Sequence, residues 1–119
     1  MKQQFNDYIL RTEGDVTIVR LRTENLLNIL DVNRVSEEIT HLIVDGGVRR
    51  LILDLKYVRH TGSAALGMLL SLLQDLRKRQ GKLVLSHIEN IEPLLRASNT
   101  RKLFTIAPDP REAMALFDK

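Results

Sequence analysis

An α/β fold with a mixed, mostly parallel sheet is predicted by three features of the sequence. Stretches of strand-like and helix-like hydrophobic period alternate along the chain. The segment Arg50-Leu51-Ile52-Leu53-Asp54-Leu55 is apolar on both faces over most of its length, the pattern of a strand in mid-sheet covered by helices. The connections after the first two strands are long enough for parallel crossovers. The expected order is β-β-α-β-α-β-α-β-α, one domain over residues 1–119 with its core from about 8 to 117. At 119 residues, with 44% hydrophobic and 28% charged side chains, size and balance are those of one unit able to bury an ordinary core.

Tyr8-Ile9-Leu10 and Val16-Thr17-Ile18-Val19-Arg20-Leu21 read as strands, and Glu13-Gly14-Asp15 between them supplies the turn of a hairpin. From Asp31 to about Asp45, Val32, Val35, Ile39, Leu42 and Ile43 share a helical face. Asp31 or Asn33 is the expected cap, and Gly46-Gly47 the stop. The central strand follows, then a loop through Tyr57 to Gly62, then a helix from Ser63 to about Gln80. Its opening turns, Ala64 to Leu70, are apolar almost all round, which predicts burial of that half. Gly81 ends this helix and Lys82 to Ile88 is the next strand. A short helix fits Ile91 to Ala97, with Pro93 in its first turn. Leu103 to Ala107 is the last strand. Pro108-Asp109-Pro110 opens a closing helix that turns Ala113, Leu116 and Phe117 inward.

Several function classes are poorly supplied. With no cysteine there is no disulfide framework, thiolate metal site or cysteine nucleophile. No apolar leader is seen at the N-terminus, and the run from Ala64 to Leu73 falls short of the roughly 20 residues that span a bilayer, so a soluble, cytoplasmic protein is expected. Eighteen basic residues against fifteen acidic ones give a net charge of +3. The cations are mostly dispersed, Arg77-Lys78-Arg79 with Lys82 closes a helix, and aromatics are only 4%, so nucleic acid is not an expected partner. Neither a G-x-G-x-x-G nor a G-x-x-x-x-G-K-[ST] loop is present. His41, His60 and His87 are scattered, without metal-ligand spacing. A small hydrolase built on Ser63 and His60 is the one enzymatic alternative. It lacks the G-x-S-x-G elbow and any visible acid to orient His60, so no catalytic residue is assigned.

Ser63 carries the most chemistry. It opens a helix after the central strand, at the end of the sheet where α/β folds carry their sites. As a plain N-cap its hydroxyl would contribute about 1 kcal/mol. As a phosphoacceptor it would carry nearly two negative charges at a place where free N–H groups and the helix dipole favour an anion. A protein docked on the bare hydroxyl would have to desolvate that phosphate, and would be expelled.

The stretch Leu51-Ile52-Leu53-Asp54-Leu55-Lys56-Tyr57-Val58-Arg59-His60-Thr61-Gly62-Ser63-Ala64-Ala65-Leu66-Gly67 resembles the signature of STAS domains, the sulfate-transporter and anti-sigma-factor-antagonist family. That signature is an apolar strand ending in Asp-Leu, a short loop, then Asp-Ser-Ser/Thr-Gly-Leu-Gly opening a helix. Glu13 to Val19 looks like the family's opening hairpin, and Lys102 to Ile106 with Asp109 and Glu112-Ala113 like its closing strand and helix. The resemblance runs from about Tyr8 to Phe117 and implies helices packed mainly on one face of the sheet. This sequence has Gly62 where the pattern has Asp, Ala64-Ala65 where it has Ser/Thr-Gly, and Leu27-Asn28 where it has Leu-Asp.

For a single domain, the resemblance implies an anti-sigma factor antagonist. Such a protein binds an anti-sigma factor that is also a serine kinase and leaves it when Ser63 is phosphorylated, and a serine phosphatase reverses the modification. ATP belongs to the kinase, so no cofactor is expected on this chain, and a monomer or weak dimer suffices. Thr61 is the second-choice acceptor, expected as a turn hydroxyl. The expected partner surface comprises Asn28, Arg59, His60, Thr61, Gly62, Ser63, Ala64, Ile88, Glu89 and Asn90, with Arg59 and His60 placed to soften a phosphate's charge. The alternative within the same fold is an unmodified scaffold subunit of a transporter or sensor complex.

Overall fold

The computed structural model describes residues 2–117. Its main sheet has six strands in the order β1-β2-β3-β5-β7-β8. These are β1 (Lys2–Gln4), β2 (Tyr8–Glu13), β3 (Val16–Leu21), β5 (Arg50–Asp54), β7 (Lys82–Ser86) and β8 (Thr105–Ala107). The first three pair antiparallel, and β3, β5, β7 and β8 run parallel. Arg50–Asp54 is central, as its two-sided apolar pattern requires: Leu51, Ile52 and Leu53 are all fully buried. The hairpin turns at Gly14, whose φ of +60° suits glycine.

Helices α1 (Ile29–Val44), α2 (Ser63–Lys78) and α3 (Glu92–Ala97) cover one face, where Val35, Ile39, Leu72, Leu76 and Leu95 meet Leu51, Leu53 and Leu85. Helix α4 (Pro110–Ala115) lies on the other, packing Ala113 and Phe117 against Val16, Ile18, Ile52 and Val84. None of the described helices is long and apolar enough to cross a membrane.

The differences from expectation are local. Strand β1 is polar and exposed at an edge, so no hydrophobic period announces it. A second sheet of two very short parallel strands, β4 (Asn25–Leu26) and β6 (His60–Thr61), occupies what reads as loop. Asn28, not Asp31 or Asn33, caps α1: its side-chain oxygen accepts from the Leu30 amide at 2.7 Å. Only Ala65, Met68 and Leu69 are buried in the first two turns of α2, while Ser63 and Gly67, one turn apart, face outward. Leu103 belongs to a 3-10 turn, Arg101–Leu103, and is exposed, so the last strand starts later than its apolar run suggests.

Candidate functional site

The site is built at the carboxyl end of β5. Leu55 continues the sheet by donating to the Ser86 carbonyl at 3.0 Å, and the Lys56 amide donates to the Asp54 carboxylate at 3.3 Å. The chain then turns back, with Val58 N–H on the Leu55 carbonyl and the Val58 side chain fully buried. Amides of Arg59 and His60 both donate to the Glu24 carbonyl, at 2.8 and 3.1 Å. The register Asn25 to His60 and Leu26 to Thr61 follows. Residues 59–63 are thereby fixed to the segment that leads into α1.

Gly62, and not Ser63, is the N-cap of α2. It is extended, with φ −149° and ψ −164°, and its carbonyl accepts from the Leu66 amide at 3.2 Å. No side chain caps this helix. Ser63 is its first helical residue, exposed, and its hydroxyl makes no hydrogen bond among the described residues. The expectation that Ser63 serves as a structural cap is therefore corrected: cap geometry needs non-helical backbone, and Gly62 supplies it. What remains is a free hydroxyl beside uncapped helix N–H groups, a setting that favours added negative charge.

Beside it stands an apolar shoulder that sequence reasoning missed. Leu27, Ile29 and Leu30 are 55%, 56% and 72% exposed, while Leu26 is buried at 1%. Leu27 reaches Gly62: a β-carbon on that glycine would lie 3.3 Å from the Leu27 Cδ2. The signal was present in the run Leu26-Leu27-Asn28-Ile29-Leu30, four apolar residues in five that cannot all face inward at a strand-to-helix junction.

The expected surface residues divide. Arg59, His60, Gly62, Ser63 and half-buried Ala64 form one continuous edge, with the shoulder alongside. Arg59 faces Glu24 at 3.7 Å, both exposed. Thr61 is half-buried on β6 rather than in a turn. Asn28 is committed to capping α1. Ile88 is corrected: at 7% exposure it is part of the core and offers a partner no side-chain surface. Asn90 ties the loop down by donating to the Val58 carbonyl at 3.0 Å. Glu89 lines a separate open hollow of about 590 Å³ with Glu92, Arg101 and Phe104, which none of residues 59–64 borders. No hydrogen bond joins His60 to Ser63 among the described residues, and His60 has no carboxylate partner there, so the parts of a hydrolase are not assembled.

On the opposite face of the sheet the same strand end carries a charged knot. Asp54 is completely buried and receives Arg20 Nε and, at 2.7 Å, His87 Nδ1. Through Lys56 it fixes where the site loop departs.

A family model described as the STAS domain matches residues 7–113. The chain belongs to the STAS domain family. Among solved structures, this STAS domain is similar to TM1081 of Thermotoga maritima, assigned as an anti-sigma factor antagonist. That match has 22% identity, covers 96% of this chain and 97% of that one, and has a TM-score of 0.83. It is also similar to an anti-sigma factor antagonist from Mycobacterium paratuberculosis, at 17% identity, with 94% and 93% of the chains covered and a TM-score of 0.76. A third is the Bacillus cell fate determinant SpoIIAA in its phosphorylated form, at 16% identity, with 92% and 98% covered and a TM-score of 0.68. At these identities the likenesses establish a shared fold.

Proposed function

We propose that this STAS domain is an anti-sigma factor antagonist, a binding module whose protein partner docks over Ser63 and is released when Ser63 is phosphorylated. The observation that carries the reading is the outward, unbonded Ser63 hydroxyl at the uncapped start of α2, next to the exposed Leu27, Ile29 and Leu30. An apolar shoulder gives a partner area to bury, and the hydroxyl at its margin is where one added group does most harm to that contact. The similarity in fold to SpoIIAA, solved in both unphosphorylated and phosphorylated forms, supports it.

The chemistry asked of the chain is small. Ser63 Oγ attacks the γ-phosphorus of ATP held by a kinase partner, ADP leaves, and the hydroxyl proton passes to a base on the kinase. The product phosphate lies over the first amides of α2, so the helix is retained while the surface changes. Hydrolysis of the phosphoester by a phosphatase returns the hydroxyl.

The test is incubation with ATP and the ATP-binding serine kinases of the same genome, followed by intact mass and partner pull-down. One phosphate on the native chain, none on Ser63→Ala, and loss of the captured partner on phosphorylation are expected. Phosphate that persists on Ser63→Ala defeats the assignment, with Thr61 the next site to map. A captured partner with no phosphate under any kinase would favour the unmodified scaffold.

A further inference from the structure

We infer that the end of the molecule opposite Ser63 is a docking surface for an anionic lipid membrane. Helix α2 is 16 residues long, so its last residue, Lys78, lies about 22 Å from Ser63 along the axis. Around that far end four separate segments bring up cations: Arg49 and Arg50 before and at the start of β5, Arg77 to Arg79 at the end of α2, Lys82 at the start of β7, and Lys102 before β8. The segments are joined there. The Lys82 amide donates to the Arg49 carbonyl at 2.7 Å, Arg50 pairs with Lys82 across the strands, and an Arg77 guanidinium N–H reaches the Leu103 carbonyl at 3.4 Å.

Most of this charge is unneutralised. Arg50 faces Asp15 at 3.5 Å. The other cations have no carboxylate partner among the described residues. Arg49 is held by the Ile43 and Val48 carbonyls, Arg79 by the Asp75 carbonyl and Lys82 by the Leu116 carbonyl. These bonds cap chain ends and fix the side chains while leaving each a full positive charge. Lys78 and Lys102 are exposed and unbonded, and Leu103 stands exposed at 42% between them and Arg77.

The shape selects the partner. Strands β3, β5 and β7 begin and helices α1 and α2 end here, so this face is made of element ends and turns rather than of a helix laid out to enter a nucleic-acid groove. A hollow of about 220 Å³ among these cations is walled by Phe117, over whose ring Arg50 and Lys82 already lie at 5.9 and 5.6 Å. A hollow so small and already filled along one wall gives an acidic peptide strand no trough to lie in. A blunt face of fixed cations with one protruding leucine fits a broad anionic surface, which attracts each basic residue within a Debye length and accepts an apolar tip at its boundary. Docked in this way, the STAS domain would hold Ser63 on the side away from the lipid.

The experiment is co-sedimentation of the full chain with vesicles of phosphatidylcholine alone or mixed equally with phosphatidylglycerol. Binding to the mixed vesicles only is expected, falling about tenfold or more as ionic strength rises from about 0.05 to about 0.5 M. The double variant Lys78→Glu/Lys102→Glu, whose side chains bond nothing, should melt like the native chain and lose that binding. The inference is overturned by absence of binding at low salt, by equal binding to both vesicles, or by binding the double variant retains. Polyglutamate or duplex DNA bound more tightly than the mixed vesicles also overturns it, and points to an acidic protein or a nucleic acid.

Discussion

The Leu27 Cδ2 sits 3.3 Å from where a β-carbon on Gly62 would be, so the apolar shoulder rests against the residue before the candidate phosphoacceptor. That contact is close but lies against the free end of an exposed side chain. The backbone of Gly62 is extended, a conformation open to any residue. Gly62→Asp should therefore fit with a small shift of Leu27, and its carboxylate would supply the cap that α2 lacks. A gain of about 0.4 kcal/mol is expected, or roughly 2 °C in the melting midpoint by calorimetry. A lower midpoint would show that Leu27 does not yield.

Ser63→Asp is expected to leave the melting midpoint within about 2 °C of the native chain, because a carboxylate suits a helix start. It should weaken capture of the partner about tenfold or more by placing charge at the contact. Surface plasmon resonance against the captured partner, with the melt run alongside, reads both. A large stability loss without loss of binding would count against the proposed switch.

Leu30→Asp should weaken the same partner by about 2 kcal/mol if the shoulder is the contact, while costing the fold less than about 0.5 kcal/mol at so exposed a position. Isothermal titration and urea unfolding separate the two effects. Unchanged affinity would move the contact away from α1.

The knot behind the site should behave in the opposite way. Arg20→Ala removes the guanidinium from the fully buried Asp54, leaves it only the His87 contact, and should cost about 3 kcal/mol, seen as an earlier urea midpoint. The site loop begins at Asp54, so reduced partner capture is expected with it.

A pH dependence follows from the far edge of α1. Arg34 donates through Nε to Asp7 at 2.9 Å, and this bond holds the Asp7 carboxyl down at about 2. Burial, and then the neighbouring Asp7, push the Glu38 carboxyl up to about 7. For Asp7 the lowered value means stability present above its ordinary range and lost as pH falls toward 2. For Glu38 the sign reverses. The folded chain holds a proton that the unfolded chain releases near 4.5, so stability falls as pH rises from 4.5 to about 7. Glu38→Gln should melt higher than the native chain at pH 8 and alike at pH 4, by calorimetry at the two values.

The parallel core was legible in the sequence because its strands are apolar on both faces, and Leu51, Ile52 and Leu53 lie where that pattern places them. The start of α1 was not, because Leu27, Ile29 and Leu30 break the rule that a helix's apolar residues share a buried stripe. Strands β4 and β6 have two residues each, too few for any period to show. Ser63 was singled out through its place after the central strand and the STAS-like motif, and it stands exposed at the start of α2. The alternative of a plain cap failed because serine's preference for cap positions says nothing of the backbone a neighbouring glycine adopts. Ile88 was misplaced for a similar reason: a residue just past a strand end reads as loop, yet this one turns back into the core.

The pairing of Asn25–Leu26 with His60–Thr61 welds the leucine ledge and the serine edge into a single stiff plate. On the proposed reading, a visiting protein would meet a surface already in its bound shape, and this domain would forfeit little chain freedom on landing. The same pairing would deny the plate any way to swing a new charge aside, so a single phosphate on Ser63 would be felt by the whole proposed contact at once.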